Sequence, residues 1–128
     1  MQYFFSKRLA VTFEEGINKV VKGLEKEGFG ILTEIDVKAT LKKKLDVDIN
    51  PYKILGACNP PFAHKALQAE KEIGLMLPCN VIVYLNDDLE TVVAAIDPVA
   101  SMQAISNPQL KEIANIIREK LKSVIERM

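Results

Sequence analysis

Two cysteines and the chain's one histidine, Cys58, His64 and Cys79, are the residues with the most distinctive chemistry. Thiolate and imidazole are ligands that zinc and copper ions prefer. If His64 lowered the pKa of one thiol, the same set could instead form a redox site. The three residues fall on separate predicted elements, namely a strand end, the first turn of a helix and a strand start. Loops at such element ends converge in many folds, so the three side chains could meet.

The same three residues also fit a purely structural role. Free cysteine is among the most buried residue types and packs as a small hydrophobe. Three ligands are one short of a closed structural zinc site, and the cysteines are not spaced as Cys-x-x-Cys. The sequence therefore leaves three interpretations open: a soft-metal site, a thiol-redox site, and two packing cysteines with a histidine on a helix surface.

A second group of candidate ligand-binding residues consists of Asn59, Asn80 and Asp97. Asn59 stands before two prolines at a predicted helix start, where backbone amides could bind an anion. The simpler explanation is that the Asn59 side chain caps those amides. Asp97 also precedes a proline, which suits a helix start as well as a catalytic carboxylate. Because these residues and both cysteines gather at element ends, we expect a cleft there that binds a small molecule or an anion.

The elements that must position these residues follow from apolar periodicity, caps and turns, in the order β-α-β-α-β-α-β-β-α-α. The predicted strands cover residues 3–9, 31–37, 52–58, 79–85 and 91–96. The predicted helices cover residues 12–28, 38–46, 60–72 and 98–102, and a last helix begins at 108.

This order predicts an α+β fold, a two-layer sandwich with helices on one face of a mixed, largely antiparallel sheet. The second face of such a sheet lacks cover within one chain. Four apolar residues are expected to point to that face: Phe4, Leu32, Leu55 and Ile82. Burial of an apolar face by a second copy is a common solution, so we expect a homodimer.

Two short motifs contain the cysteines: Gly-Ala-Cys-Asn-Pro at 56–60 and Leu-Pro-Cys-Asn-Val at 77–81. With flanking segments at 33–45 and 97–102, they resemble the domain-of-unknown-function 302 (DUF302) family. The resemblance extends over nearly the whole chain. It implies a compact α+β domain, often dimeric. It implies no activity, cofactor or catalytic residue, because none is assigned to the family.

Length and charge limit the remaining possibilities. The chain has 128 residues, which fits a single domain over 1–128. Lysine plus arginine balances aspartate plus glutamate at 17 each, without a long basic stripe, so nucleic acid is not an expected partner. We expect no membrane association, since no apolar run approaches the roughly 18 residues of a span. Two cysteines without a secretion signal favour a cytoplasmic protein.

The sequence contains no Gly-x-Gly-x-x-Gly, Walker or His-Glu-x-x-His motif, which disfavours nucleotide-dependent enzymes and common metallohydrolases. Whether the protein is an enzyme, and with which cofactor, is left open. We expect a homodimeric module that binds a small molecule or an anion. The first alternative is a thiol-redox or soft-metal protein that uses Cys58, His64 and Cys79. The second is a purely structural dimerisation domain.

Overall fold

The helices and strands follow one another in the order that the sequence predicts. The computed structural model describes residues 2–128. The elements are β1 (Phe4–Leu9), α1 (Phe13–Lys26), β2 (Gly30–Asp36), α2 (Val37–Leu45), β3 (Tyr52–Cys58), α3 (Pro60–Ala69), β4 (Cys79–Leu85), β5 (Thr91–Ile96), α4 (Pro98–Ser101) and α5 (Pro108–Glu126). A 3₁₀ helix, Lys71–Met76, and a cis peptide bond between Leu77 and Pro78 lead from α3 into β4. No helix within residues 2–128 combines the length and apolar character needed to cross a membrane.

The five strands form one sheet in the order β1-β5-β4-β3-β2. Every neighbouring pair is antiparallel, which is simpler than the mixed sheet that the sequence predicts. The α+β class is confirmed. β4 occupies the centre of the sheet, and β1 and β2 form its edges.

The helices α1 and α5 cover one face of this sheet. Val81 and Val83, two residues apart on β4, point to the helices and pack with Val20 and Leu24 of α1 and Leu121 of α5. All five side chains are fully buried. Each contributes about 1.5–3 kcal/mol through removal of apolar surface from water. The spacing of two along the strand and of four along α1 places these residues on single faces.

Leu55 belongs to this core, so the prediction that it faces away from the helices is wrong. Its side chain is 1% exposed, and it pairs directly with Val81 across β3 and β4. Directly paired residues share a face of the sheet, so the register fixes Leu55 on the helix side. Phe4 and Ile82 do lie on the uncovered face, where they line the same groove.

A β-bulge at Leu32 changes the alternation of β2. The residues on either side of it, Ile31 and Thr33, pair with consecutive residues of β3. One extra residue reverses the face to which the following side chains point. Ile31 therefore packs against the core, while Thr33 and Ile35 share the uncovered face. Leu32 is the unpaired residue and is 65% exposed. The sequence predicted unbroken alternation to Val37, where the structure instead begins α2.

Local signals define the ends of the long helices as the sequence predicts. The Thr12 hydroxyl accepts a hydrogen bond from the Glu15 amide at 3.2 Å, which caps α1. Gly28 follows α1 with a φ of 85°, a conformation that glycine adopts without strain. The Asn107 side chain accepts from the Gln109 amide at 3.0 Å and caps α5.

Candidate functional site

The predicted cleft at the ends of β3 and β4 is a small cavity between the sheet and the helices. Cys58, Asn59 and Cys79 line it, together with Pro78 and residues of α3, α4 and α5. Its volume is about 40 Å³. Such a volume holds about one or two water molecules and is too small for a metabolite. The lining is almost wholly apolar, so the cavity has no charged group with which to bind an anion.

His64 does not line this cavity. It is exposed on α3, as the helix-surface interpretation expects. Across residues 2–128, no three histidine, cysteine, aspartate or glutamate side chains are grouped so that they could hold a metal ion. The structure therefore does not assemble Cys58, His64 and Cys79 into a ligand set.

The two cysteines lie on neighbouring strands. Cys79 pairs with Ala57, so Cys58 is one residue further along β3. Burial, and to a lesser extent the charge of a nearby Cys58 thiolate, raises the pKa of the Cys79 thiol to about 11. The thiolate is the form that acts as nucleophile and binds metal ions. Cys79 therefore stays protonated at neutral pH, which disfavours both chemistries at this position.

We expect the two thiols to differ strongly in their reactivity with iodoacetamide. A pKa of about 11 instead of the ordinary 9.0 lowers the thiolate fraction of Cys79 about 100-fold at pH 8. Burial slows the reaction further, whereas Cys58 is only half-buried. In Cys58→Ser the remaining thiol should react at least about tenfold more slowly than the thiol of Cys79→Ser, because this substitution removes the smaller, Cys58 contribution to the raised pKa but leaves the burial in place. Equal rates for the two variants would contradict this arrangement.

Asn59 has a structural role that differs from the predicted one. Its side chain makes no capping hydrogen bond at the start of α3. Instead its Nδ2 donates to the Glu27 carbonyl at 3.1 Å, and the residue is 7% exposed. This bond links the end of α1 to the turn between β3 and α3. The Nδ2 group is thus engaged by the protein.

Asp97 is also engaged by the protein. Its Oδ1 accepts from the Val99 amide at 3.0 Å and caps α4. Its Oδ2 accepts from Arg118 Nε at 3.2 Å, and the guanidinium group lies 5.2 Å from the centre of the Phe5 ring. A buried carboxylate that is paired with a guanidinium group and capped by an amide is a structural element. The cap was one of the two interpretations that the sequence allowed.

Asn80 is the candidate residue that lies on the uncovered face of the sheet. We call this face the open face and define it by three rows of residues that lie side by side across the strands. The first row is Phe4, Ile96, Asn80, Gly56 and Thr33. The second row is Ser6, Ala94, Ile82, Ile54 and Ile35. The third row is Arg8, Val92, Tyr84 and Tyr52.

The open face contains a groove of about 400 Å³, ten times the volume of the cavity under the cysteines. Ser6, Ala94 and Ile82 of the second row form its floor. Ser6 and Ala94 are small, and the rows on both sides contain larger side chains, so a depression follows from the register. We call this depression the aromatic groove. A volume of about 300–1,000 Å³ is typical of small-molecule sites.

Aromatic side chains form the walls of the aromatic groove. Tyr52 and Tyr84 are stacked across β3 and β4, with ring centres 5.3 Å apart and an interplanar angle of 17°. On the other side, Tyr3 and Phe4 are 5.1 Å apart at 72°. Burial, then the proximity of Tyr84 and Tyr3, raises the pKa of the Tyr52 hydroxyl. Tyr52 is therefore neutral at physiological pH.

Sequence reasoning included Asn80 as a candidate but missed the rest of this groove. The tyrosines carry no motif, and neither Ser6 nor Ala94 has a chemical signature. The detectable signal is the contrast in side-chain size between neighbouring rows, and it becomes visible after the strands are aligned. The cysteines are conspicuous in the sequence, whereas these aromatic residues are not.

Fold and site together define a small α+β protein whose antiparallel sheet is covered by helices on one face and carries a groove on the other. The family model described as "Domain of unknown function DUF302" matches residues 5–128, and the chain belongs to this family. The crystal structure of an uncharacterized conserved DUF302 protein from Bacillus stearothermophilus is 29% identical, with a TM-score of 0.91. The match covers 99% of this chain and 98% of the other. No curated protein matches this chain.

Proposed function

We propose that residues 1–128, acting as a single domain, form a homodimeric module that binds a small uncharged molecule. The observation that carries this proposal is the open face with its groove of about 400 Å³. The rest of the proposal follows from the composition and the dimensions of that face. A cytoplasmic location is part of the proposal, since both cysteines are free thiols.

The composition of the aromatic groove supports an uncharged ligand. Arg8 is the charged residue in the rows that define the open face, and its guanidinium group lies 3.5 Å from Glu90. Within the groove lining, the polar groups are tyrosine and serine hydroxyls and the Asn80 amide. A concave apolar site with a few convergent polar groups is the usual form of a small-molecule site. The sequence also allowed an anionic ligand, but in the part of the chain that the structure describes no cationic side chain lines the aromatic groove to pair with one.

A second copy is the partner that best suits the surrounding open face. Interface centres are poor in charged residues and rich in aromatic ones, and this face has both properties. A nearly neutral surface can also meet itself without electrostatic repulsion. Five strands about 4.8 Å apart and about six residues long give a flat area of roughly 500 Å² per copy. Two copies would bury about 1,000 Å², the lower limit of specific interfaces, so we expect a weak dimer.

Sedimentation velocity over a protein concentration of about 5–500 µM tests the dimer. We expect the mass to rise from monomer to dimer within this range. Ile54→Lys puts a charge in the middle row of the open face, beside the central strand, and should keep the protein monomeric throughout. Leu75→Lys, at an exposed position of the 3₁₀ helix, is the matched control and should behave as the wild type. Circular dichroism establishes that both variants are folded.

A wild-type protein that stays monomeric to about 500 µM would refute the dimer, as would unchanged association of Ile54→Lys. If the wild type dimerises but no neutral aromatic fragment binds it, the structural dimerisation domain becomes the better description. The cavity that Cys58 and Cys79 line does not favour the thiol-redox or the soft-metal alternative. His64 lies outside this cavity, and the pKa of the Cys79 thiol is raised.

A further inference from the structure

We infer that the aromatic groove binds a planar, uncharged aromatic molecule that carries both a hydrogen-bond donor and an acceptor. This inference rests on the part of the proposed function that concerns ligand binding, and it does not require the dimer. The ring would lie over Ser6 and Ala94, between the Tyr52–Tyr84 pair and the Tyr3–Phe4 pair. In the dimer, the second copy would cover the ligand from above.

The floor of the groove favours a flat ligand. Ser6 pairs with Ala94, and Ala94 pairs with Ile82, so two small side chains adjoin each other in the middle row. The neighbouring rows place Phe4 and Tyr84 on either side. The result is a shallow depression bounded by larger groups. A flat molecule can contact such a floor with one face while its edges contact the walls.

The walls favour an aromatic ligand. Aromatic rings attract one another in offset-stacked and edge-to-face arrangements, beyond what their buried area contributes. The groove offers both arrangements: a stacked pair with an angle of 17° and an edge-to-face pair with an angle of 72°. Tyrosine also loses little conformational entropy on binding, since its ring is rigid, and Tyr52 and Tyr84 are already stacked on each other. An aliphatic ligand of equal volume would gain the burial but not the ring contacts.

The polar groups require complementary donors and acceptors. The Asn80 side chain presents an amide donor and a carbonyl acceptor, and each tyrosine hydroxyl can do both. Asn80 and Tyr52 lie in different rows of the groove lining, so a ligand could contact both at once. A bound ligand that left these groups without partners would lose their hydrogen bonds to water. We therefore expect a heterocycle with a donor and an acceptor to bind better than a hydrocarbon.

Charge is disfavoured in the ligand. No cationic or anionic side chain is among the residues that line the groove within residues 2–128. The Tyr52 hydroxyl, whose pKa is raised, also stays neutral at physiological pH. Moving a charged ligand from water into this site would cost desolvation energy without a counter-ion to offset it.

The chain provides a selective reporter for the test. It has three tyrosines and no tryptophan, and all three tyrosines line the aromatic groove. Protein labelled with ¹³C in its tyrosine rings therefore gives an NMR spectrum from this groove alone. The probe is 7-azaindole, which is planar, neutral and has one donor and one acceptor. Benzoate and cyclohexanol are the charged and the non-aromatic comparison compounds.

We expect 7-azaindole to shift the signals of all three tyrosines in a saturable way, with a dissociation constant of about 0.1–5 mM for a ligand of its size. Benzoate and cyclohexanol should bind at least about tenfold more weakly. Ala94→Leu fills the floor and should weaken 7-azaindole binding at least about tenfold. Ile35→Leu, in the same row but outside the groove, should leave the binding unchanged.

The outcomes separate this inference from the dimer. Absence of tyrosine shifts, equal binding of the three compounds, or unchanged binding to Ala94→Leu would each overturn the inference. If 7-azaindole binds to monomeric Ile54→Lys with the predicted selectivity, ligand binding in the aromatic groove is supported whether or not the protein dimerises. If the wild type dimerises but 7-azaindole shifts no tyrosine signal, the proposed dimer stands and this class of ligand is rejected. Thermal unfolding shows that Ala94→Leu remains folded.

Discussion

Gly56→Ala is expected to lower the free energy of unfolding by about 2–3 kcal/mol, although it adds a single methyl group. Gly56 is buried in β3 beneath the Thr33 and Pro78 side chains. A Cβ atom at this position would lie 2.2 Å from Thr33 Oγ1 and 2.7 Å from Pro78 Cγ. The Pro78 ring is fixed and cannot rotate away, and Thr33 could relieve its contact only by turning its hydroxyl to another rotamer. The sheet would have to distort locally to admit the methyl group.

Gly30→Ala is the matched control for this effect. Gly30 begins β2 and pairs with Cys58, yet nothing lies within 4 Å of the Cβ that alanine would add. Both substitutions restrict the unfolded chain in the same way, so their difference isolates the steric contact. Urea denaturation of the two variants measures it. Equal midpoints would show that Thr33 and Pro78 yield to the methyl group.

Leu55→Ala is expected to cost about 2–5 kcal/mol, the largest effect of any substitution considered for this protein. Leu55 is 1% exposed and packs in the core between the sheet and the helices α1 and α5. Its removal takes three buried carbon atoms from a close-packed region that can relax only in part. The loss includes both the burial of those atoms and the empty volume that they leave. Denaturation in urea or by heat gives the magnitude.

Leu32→Ala is the control, since the two leucines were assigned to the same face by sequence reasoning. Leu32 is 65% exposed at the bulge, and we expect its truncation to change stability by no more than about 0.5 kcal/mol. A loss of comparable size in both variants would mean that Leu32 is covered in solution. Sedimentation of Leu32→Ala would then show whether the cover is a second copy.

The element order was predictable because its signals are local. The cap at Thr12, the glycine at 28 and the apolar period of α5 each act within a few residues of the element that they define. The same holds for the hairpin of β4 and β5. What could not be predicted is which face Leu55 occupies, since that depends on the pairing of β3 with β4. A bulge such as that at Leu32 shifts pairing without a strong sequence signature.

The candidate site shows the same division between local and long-range information. The sequence placed Cys58 and Cys79 at the ends of separate elements, and both residues do line one cavity. It could not show that this cavity is about 40 Å³ in volume, or that Asn59 bonds to Glu27. It also could not bring Ser6 and Ala94 together, since 88 positions separate them in the chain. The size, depth and polarity of a cavity depend on several segments that come together only when the chain is folded.

The bulge in β2 also bears on how copies of this protein can associate. β1 and β2 are the strands with unpaired backbone edges, and such edges can recruit further strands into fibres. At Leu32 the bulge interrupts the regular spacing of amides and carbonyls on one edge, while Lys7 and Arg8 place adjacent charges on the other. Edge-to-edge growth is thereby discouraged on both sides. Association through the open face, as proposed above, would instead close after two molecules and would not extend without limit.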